Sequence, residues 1–122
     1  KTAASVLAEL EALAVPFAHA GGLTLSVEMG HEREPFETSR DDPAVEAVAA
    51  AHRMVTGEVA EYEGRPIVGD ANLYVHGSGV PTFYYGPSNE TAHGDVEWVS
   101  VARMERAARV YALAAAFYCG LG

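Results

Sequence analysis

Apolar residues recur at helical spacing from the start of the chain, where Ala3, Val6, Leu7, Leu10, Leu13 and Ala14 share one face. This predicts an amphipathic helix capped by Thr2 and finished before Pro16. After Gly21-Gly22 the period drops to two: Leu23, Leu25, Val27 and Met29 alternate with Thr24, Ser26 and Glu28, the pattern of a half-buried strand. Residues 30–40 are polar and read as a linker. Asp41-Asp42-Pro43 then opens a second helix with an acidic cap and proline in its first turn, an apolar stripe at Val45, Val48, Ala49, His52 and Val55, and a stop at Gly57. Short strands are expected at Glu58 to Tyr62 and Val80 to Tyr85, with a short helix from Ala71 to Val75 that Asp70 could cap. The last helix begins after Ser100, with Val101, Met104, Ala108, Tyr111, Ala115 and Tyr118 on one face and Glu105 placed to pair with Arg109. Beyond Arg109 it is apolar all round, so cover is expected on most sides, from a sheet containing Val80 to Tyr85.

One helix and one strand at the front of the chain cannot bury both their apolar faces, because a strand needs neighbours in a sheet. The 122 residues suffice for one small domain with a core, but with those faces unpartnered and no initial methionine the sequence reads as a piece completed by further polypeptide. Its 49% hydrophobic and 20% charged residues are those of a globular chain. Eight Lys+Arg against 17 Asp+Glu, a net charge of -9 and no basic cluster argue against a nucleic-acid partner. The apolar stretch from Val110 to Cys119 falls short of the roughly 20 residues a membrane span needs, and no secretory leader pattern opens the chain, so no membrane role is expected. The lone Cys119 excludes an internal disulfide and suits a reducing, cytoplasmic compartment.

Several motifs fail on inspection. His31-Glu32 lacks the second histidine of a His-Glu-x-x-His zinc helix, since Pro35 stands there. Gly77-Ser78-Gly79 lacks the outer glycines of a nucleophile elbow, having His76 and Val80 instead, and Thr82 breaks a dinucleotide fingerprint. His52 sits on an apolar stripe with no ligand type four residues away, which makes it a core histidine hydrogen-bonded to backbone. His93 is different: it lies in a polar loop between the Val80 to Tyr85 pattern and the last helix, where it is either a solvated side chain or a group that binds metal or moves a proton.

The loop wording decides between these. Gly86-Pro87-Ser88-Asn89-Glu90-Thr91-Ala92-His93, followed by Gly94-Asp95-Val96-Glu97-Trp98-Val99, resembles the C-terminal metal-ligand segment of co-catalytic metallohydrolases. That family includes acetylornithine deacetylase, succinyl-diaminopimelate desuccinylase and glutamate carboxypeptidase. Gly69-Asp70-Ala71-Asn72 matches part of a Gly-Thr-Asp-Ala-Arg-like run of the same family, with Asn72 in place of the arginine that reaches a substrate carboxylate and Gly69 in place of Thr or Ser.

The resemblance implies an α/β fold: residues 33–122 as the C-terminal part of a three-layer α/β/α zinc-hydrolase domain, and residues 1–32 as the C-terminal part of an α+β lid or dimerisation domain. It implies His93 as ligand to one of two zinc ions, with cobalt or manganese as substitutes, and Asn89, Asp70, Asn72, Gly69 and Gly86 at the substrate. The other ligands and the glutamate base would come from the missing N-terminal part, so no catalytic residue is expected in this chain and the isolated piece should be inactive. The implied reaction is hydrolysis of amide bonds in N-acyl amino acids or small peptides by a homodimer. The alternative is a non-catalytic protein that keeps the fold for small-molecule binding or dimerisation.

Overall fold

Helix ends in this chain are written by short polar caps and left-handed glycines. The computed structural model describes residues 2–87 and 90–121 and divides them between two units, 1–36 and 37–122.

The first unit is built on α1, Ala3–Ala20. Thr2 and Ser5 form a reciprocal capping box: the Ser5 amide donates to the Thr2 hydroxyl oxygen at 3.3 Å, and the Thr2 amide donates to Ser5 Oγ at 3.1 Å. Contrary to the expected end before Pro16, the helix runs through that proline to Ala20. Pro16 removes one N–H donor, but the turn beyond it is closed by the Leu23 amide donating to the Ala18 carbonyl at 2.8 Å and Gly22 to His19 at 3.0 Å, with Gly22 at φ 69°. No residue of α1 is buried, and Val6, Leu10, Leu13 and Phe17 form an exposed stripe. By length and mean hydropathy, 1.3 over 18 residues, α1 could cross a membrane. Glu9 and Glu11 near its middle would be costly there.

In the second unit α2, Pro43–Thr56, begins as its sequence predicts, with the Ala44 amide donating to Asp42 Oδ1 at 2.9 Å, and ends at Gly57 in the left-handed region. It packs on α4, Val101–Cys119, which Ser100 caps and Gly120 terminates. The seam is made of small residues: Ala47 and Ala51 from α2 with Ala107, Val110 and Ala114 from α4 are buried, and Val48, Val55, Leu113 and Tyr85 close around them. Short side chains let the two helices approach closely.

This corrects the face expected of α4. Val101, Met104, Tyr111 and Tyr118 are half or more exposed, or nearly so, while Ala107, Val110 and Ala114 are inside. Large apolar side chains look like core by their chemistry, but here the alanine side meets the partner helix. Arg103, not Arg109, makes the ion pair found on this helix among the described residues, reaching Glu90 at 2.7 Å.

The third helix, α3, spans Ala71–Ser78, longer than expected, and ends at Gly79 with φ 64°. Asp70 occupies its cap position, yet its side chain makes no capping bond; its backbone carbonyl accepts from Leu73 at 2.9 Å instead.

Among the described residues there is no strand. The alternating segments Leu23 to Met29, Glu58 to Tyr62 and Val80 to Tyr85 carry no ladder. Strand propensity is realised only against a neighbouring strand. Side chains distant in sequence hold the third segment: Thr38 Oγ1 donates to the Thr82 carbonyl and Tyr111 donates to the Tyr85 carbonyl.

Candidate functional site

The loop after Gly86-Pro87 is folded by its own side chains. Thr91 is seven residues from Trp98, and its hydroxyl clasps that residue twice: the Trp98 amide donates to Thr91 Oγ1 at 3.0 Å, and Oγ1 donates to the Trp98 carbonyl at 2.9 Å. Inside this clasp the Gly94 amide donates to the Thr91 carbonyl at 3.1 Å, and the His93 amide donates to Glu97 Oε1. A Cβ on Gly94 would come within 3.2 Å of the Thr91 carbonyl oxygen, so a larger residue there would press on the turn.

The consequence falls on His93, the one described non-glycine residue with positive φ, 65°. Left-handed backbone is costly for a residue with a Cβ and persists where surrounding bonds impose it. The clasp and the Glu97 carboxylate supply those bonds and leave the imidazole exposed. Glu90, at the head of the loop, is tied to Arg103 of α4. Removing the hydroxyl while keeping the shape, Thr91→Val, should accelerate amide exchange at Trp98 by roughly 10-fold, the equivalent of one lost hydrogen bond. An unchanged rate would mean the clasp does not hold the loop.

The other expected site residues are placed as follows. Gly69 packs under Tyr84: a Cβ at Gly69 would lie 2.5 Å from the Tyr84 hydroxyl oxygen, which gives a packing reason for glycine where the related run has Thr or Ser. Asp70 is exposed at the start of α3, and Asn72 is buried, 7% exposed. Gly86 lines a cleft of about 310 Å³ shared by His52, Tyr85, Pro87, Arg103, Arg106 and Ala107. Asn89 lies outside the described residues.

His52 does not bond backbone as expected. Its Nδ1 lies 2.9 Å from the Tyr85 hydroxyl, and its ring meets Tyr85 edge-on at 5.9 Å, with Tyr111 edge-on to the other side of the series at 5.8 Å from Tyr85. Burial raises the Tyr85 phenol above its ordinary range, Tyr111 adds to this and Arg106 opposes it, so the hydroxyl stays protonated at neutral pH. Tyr85, Arg103 and Arg106 carry no sequence motif; only the fold brings them to one hollow. Thr91 is equally silent in sequence, while Glu97 belongs to the acidic-aromatic turn already singled out.

A metal is implied by the loop wording, and the donor chemistry allows it only in part. An exposed, rigidly presented imidazole suits one ligand position, but zinc takes three or four protein donors. No group of three or more His, Cys, Asp or Glu among the described residues could hold an ion. The described residues therefore do not make a complete metal site by themselves.

No curated protein and no solved structure matched the chain. The family model for peptidase family M20/M25/M40, however, aligns with residues 4–116, which takes in α1, α2, α3, the His93 loop and most of α4. Peptidases of this family are typically metal-dependent hydrolases, and this chain belongs to it.

Proposed function

We propose that the chain is the C-terminal part of a zinc-dependent amidohydrolase of the deacetylase, desuccinylase or carboxypeptidase type, acting on N-acyl amino acids or small peptides. The observation that carries this reading is His93, held exposed in strained backbone by the Thr91–Trp98 clasp, inside the span matched to the peptidase family. Residues 33–122 would enter a three-layer α/β/α domain in which the segments lacking a ladder here find strand neighbours, and residues 1–32 a lid or dimerisation domain.

Bound zinc would supply Lewis acidity toward the scissile carbonyl and an activated water. This chain's part is positional. The His93 imidazole would donate one lone pair to the metal, and Glu97 fixes the loop by accepting from the His93 amide. Asn89 would contact the reacting carbonyl, as the resemblance implies. Asn72, being buried and uncharged, is poorly suited to clamp a substrate carboxylate, so that role passes to another residue.

The reading is tested on the complete protein. Dialysis against a chelator should abolish hydrolysis of N-acetyl and N-succinyl amino acids, and zinc, cobalt or manganese should restore it. A protein that turns over these substrates equally well without metal would overturn the metallohydrolase reading. One that holds metal and hydrolyses no amide would point to a binding or dimerisation role.

A further inference from the structure

The cleft between α2 and α4 borders the start of the His93 loop at Gly86 and Pro87, and its other lining residues come from α2, Tyr85 and α4. In a chain of net charge -9, its lining contains two arginines, a histidine and a tyrosine and no carboxylate. Arg103 at its edge is already paired with Glu90, but no carboxylate lies within ion-pair distance of Arg106 among the described residues. Gly86 and Pro87 leave the opposite wall without a bulky side chain. Arg106 lines this hollow beside the Tyr85 phenol, and it is the Arg106 guanidinium that has donors to spare there.

We propose that this cleft binds a small oxyanion, a carboxylate or a phosphate, held by the Arg106 guanidinium and the Tyr85 hydroxyl with Arg103 at the rim. About 310 Å³ accommodates such a group with a short organic tail. The Tyr85 hydroxyl has one proton, and that proton goes either to His52 Nδ1 or to the ligand. Binding therefore selects the His52 form with a proton on Nδ1: His52 Nδ1–H donates to the Tyr85 oxygen, and the Tyr85 O–H donates to the anion. His52 acts through Tyr85 and is a positioning residue.

The cleft shares Gly86 with the proposed substrate region, but its test reads anion binding and needs no turnover. The complete protein is titrated with sodium acetate and, separately, with inorganic phosphate, at ionic strength held constant with chloride. The nitrogen NMR signals of Arg106 Nε and of the His52 ring are followed. A saturable shift of Arg106, accompanied by movement of His52 Nδ1 toward its protonated position, is expected with at least one anion. Saturation by acetate alone assigns a carboxylate, and by phosphate alone a phosphate. R106Q should weaken binding roughly 10-fold to 100-fold and Y85F by a smaller factor, as charge-assisted and neutral hydrogen bonds differ, while R109Q on the same helix should leave it unchanged. Shifts that fail to saturate, that chloride reproduces, or that R106Q and R109Q alter alike would overturn the proposal.

Discussion

His93→Ala in the complete enzyme should remove or loosen one of about two bound metal ions and lower turnover by more than roughly 100-fold. Even a partner in the shell behind a metal ligand is worth 10-fold to 100-fold, and a ligand itself is worth more. Alanine also meets the backbone strain at φ 65°, so loss of metal could reflect a collapsed loop. His93→Asn separates the two effects. Asparagine tolerates left-handed backbone, leaving the loop intact without an imidazole, and should lose metal as alanine does. His52→Ala and His76→Ala should keep full stoichiometry, since His52 is engaged with Tyr85 and His76 lies on α3. Because an imidazole must shed its proton to bind metal, acidification should release metal from the wild type. Elemental analysis after dialysis decides the matter: full metal content and activity in both His93 variants would remove the ligand assignment and the proposed function together.

What the sequence made legible is what is local. Caps at Thr2 and Asp42, the start after Ser100 and the stop at Gly57 depend on a few neighbouring residues, and those helix ends stand where the residues put them. The His93 loop was legible through its wording, which carried the family, although the Thr91 clasp that shapes it spans seven residues and leaves no periodic trace. Three features were not legible, each because it depends on something distant. Pro16 predicted a stop, but the glycine pair behind it could close one more turn. Strand patterns at Leu23 to Met29, Glu58 to Tyr62 and Val80 to Tyr85 remain patterns without a neighbour to pair with. The buried side of α4 was misjudged because hydrophobicity ranks Tyr111 and Met104 above alanine, whereas helix approach distance favours alanine.

That last distinction predicts a large effect from a small change. Ala51→Leu should destabilise the second unit by about 1–3 kcal/mol, the usual penalty for forcing methylenes into a packed seam. Ala51 has no exposed surface and lies with Val110 and Ala114 at the α2–α4 contact, so a leucine there must push the helices apart or adopt a poor rotamer. The neighbouring Ala50 is exposed on the same helix, and Ala50→Leu, with the same change in side chain and nearly the same helix propensity, should stay within about 0.5 kcal/mol of the wild type. The displacement should also reach Tyr85, which packs against this core and bonds His52 from α2 while accepting from Tyr111 of α4. Urea unfolding of the two variants beside the wild type measures the difference. Equal midpoints for Ala51→Leu and Ala50→Leu would mean that the alanine seam is not the contact that holds the two helices together, and that the large side chains on the other face of α4 carry it instead.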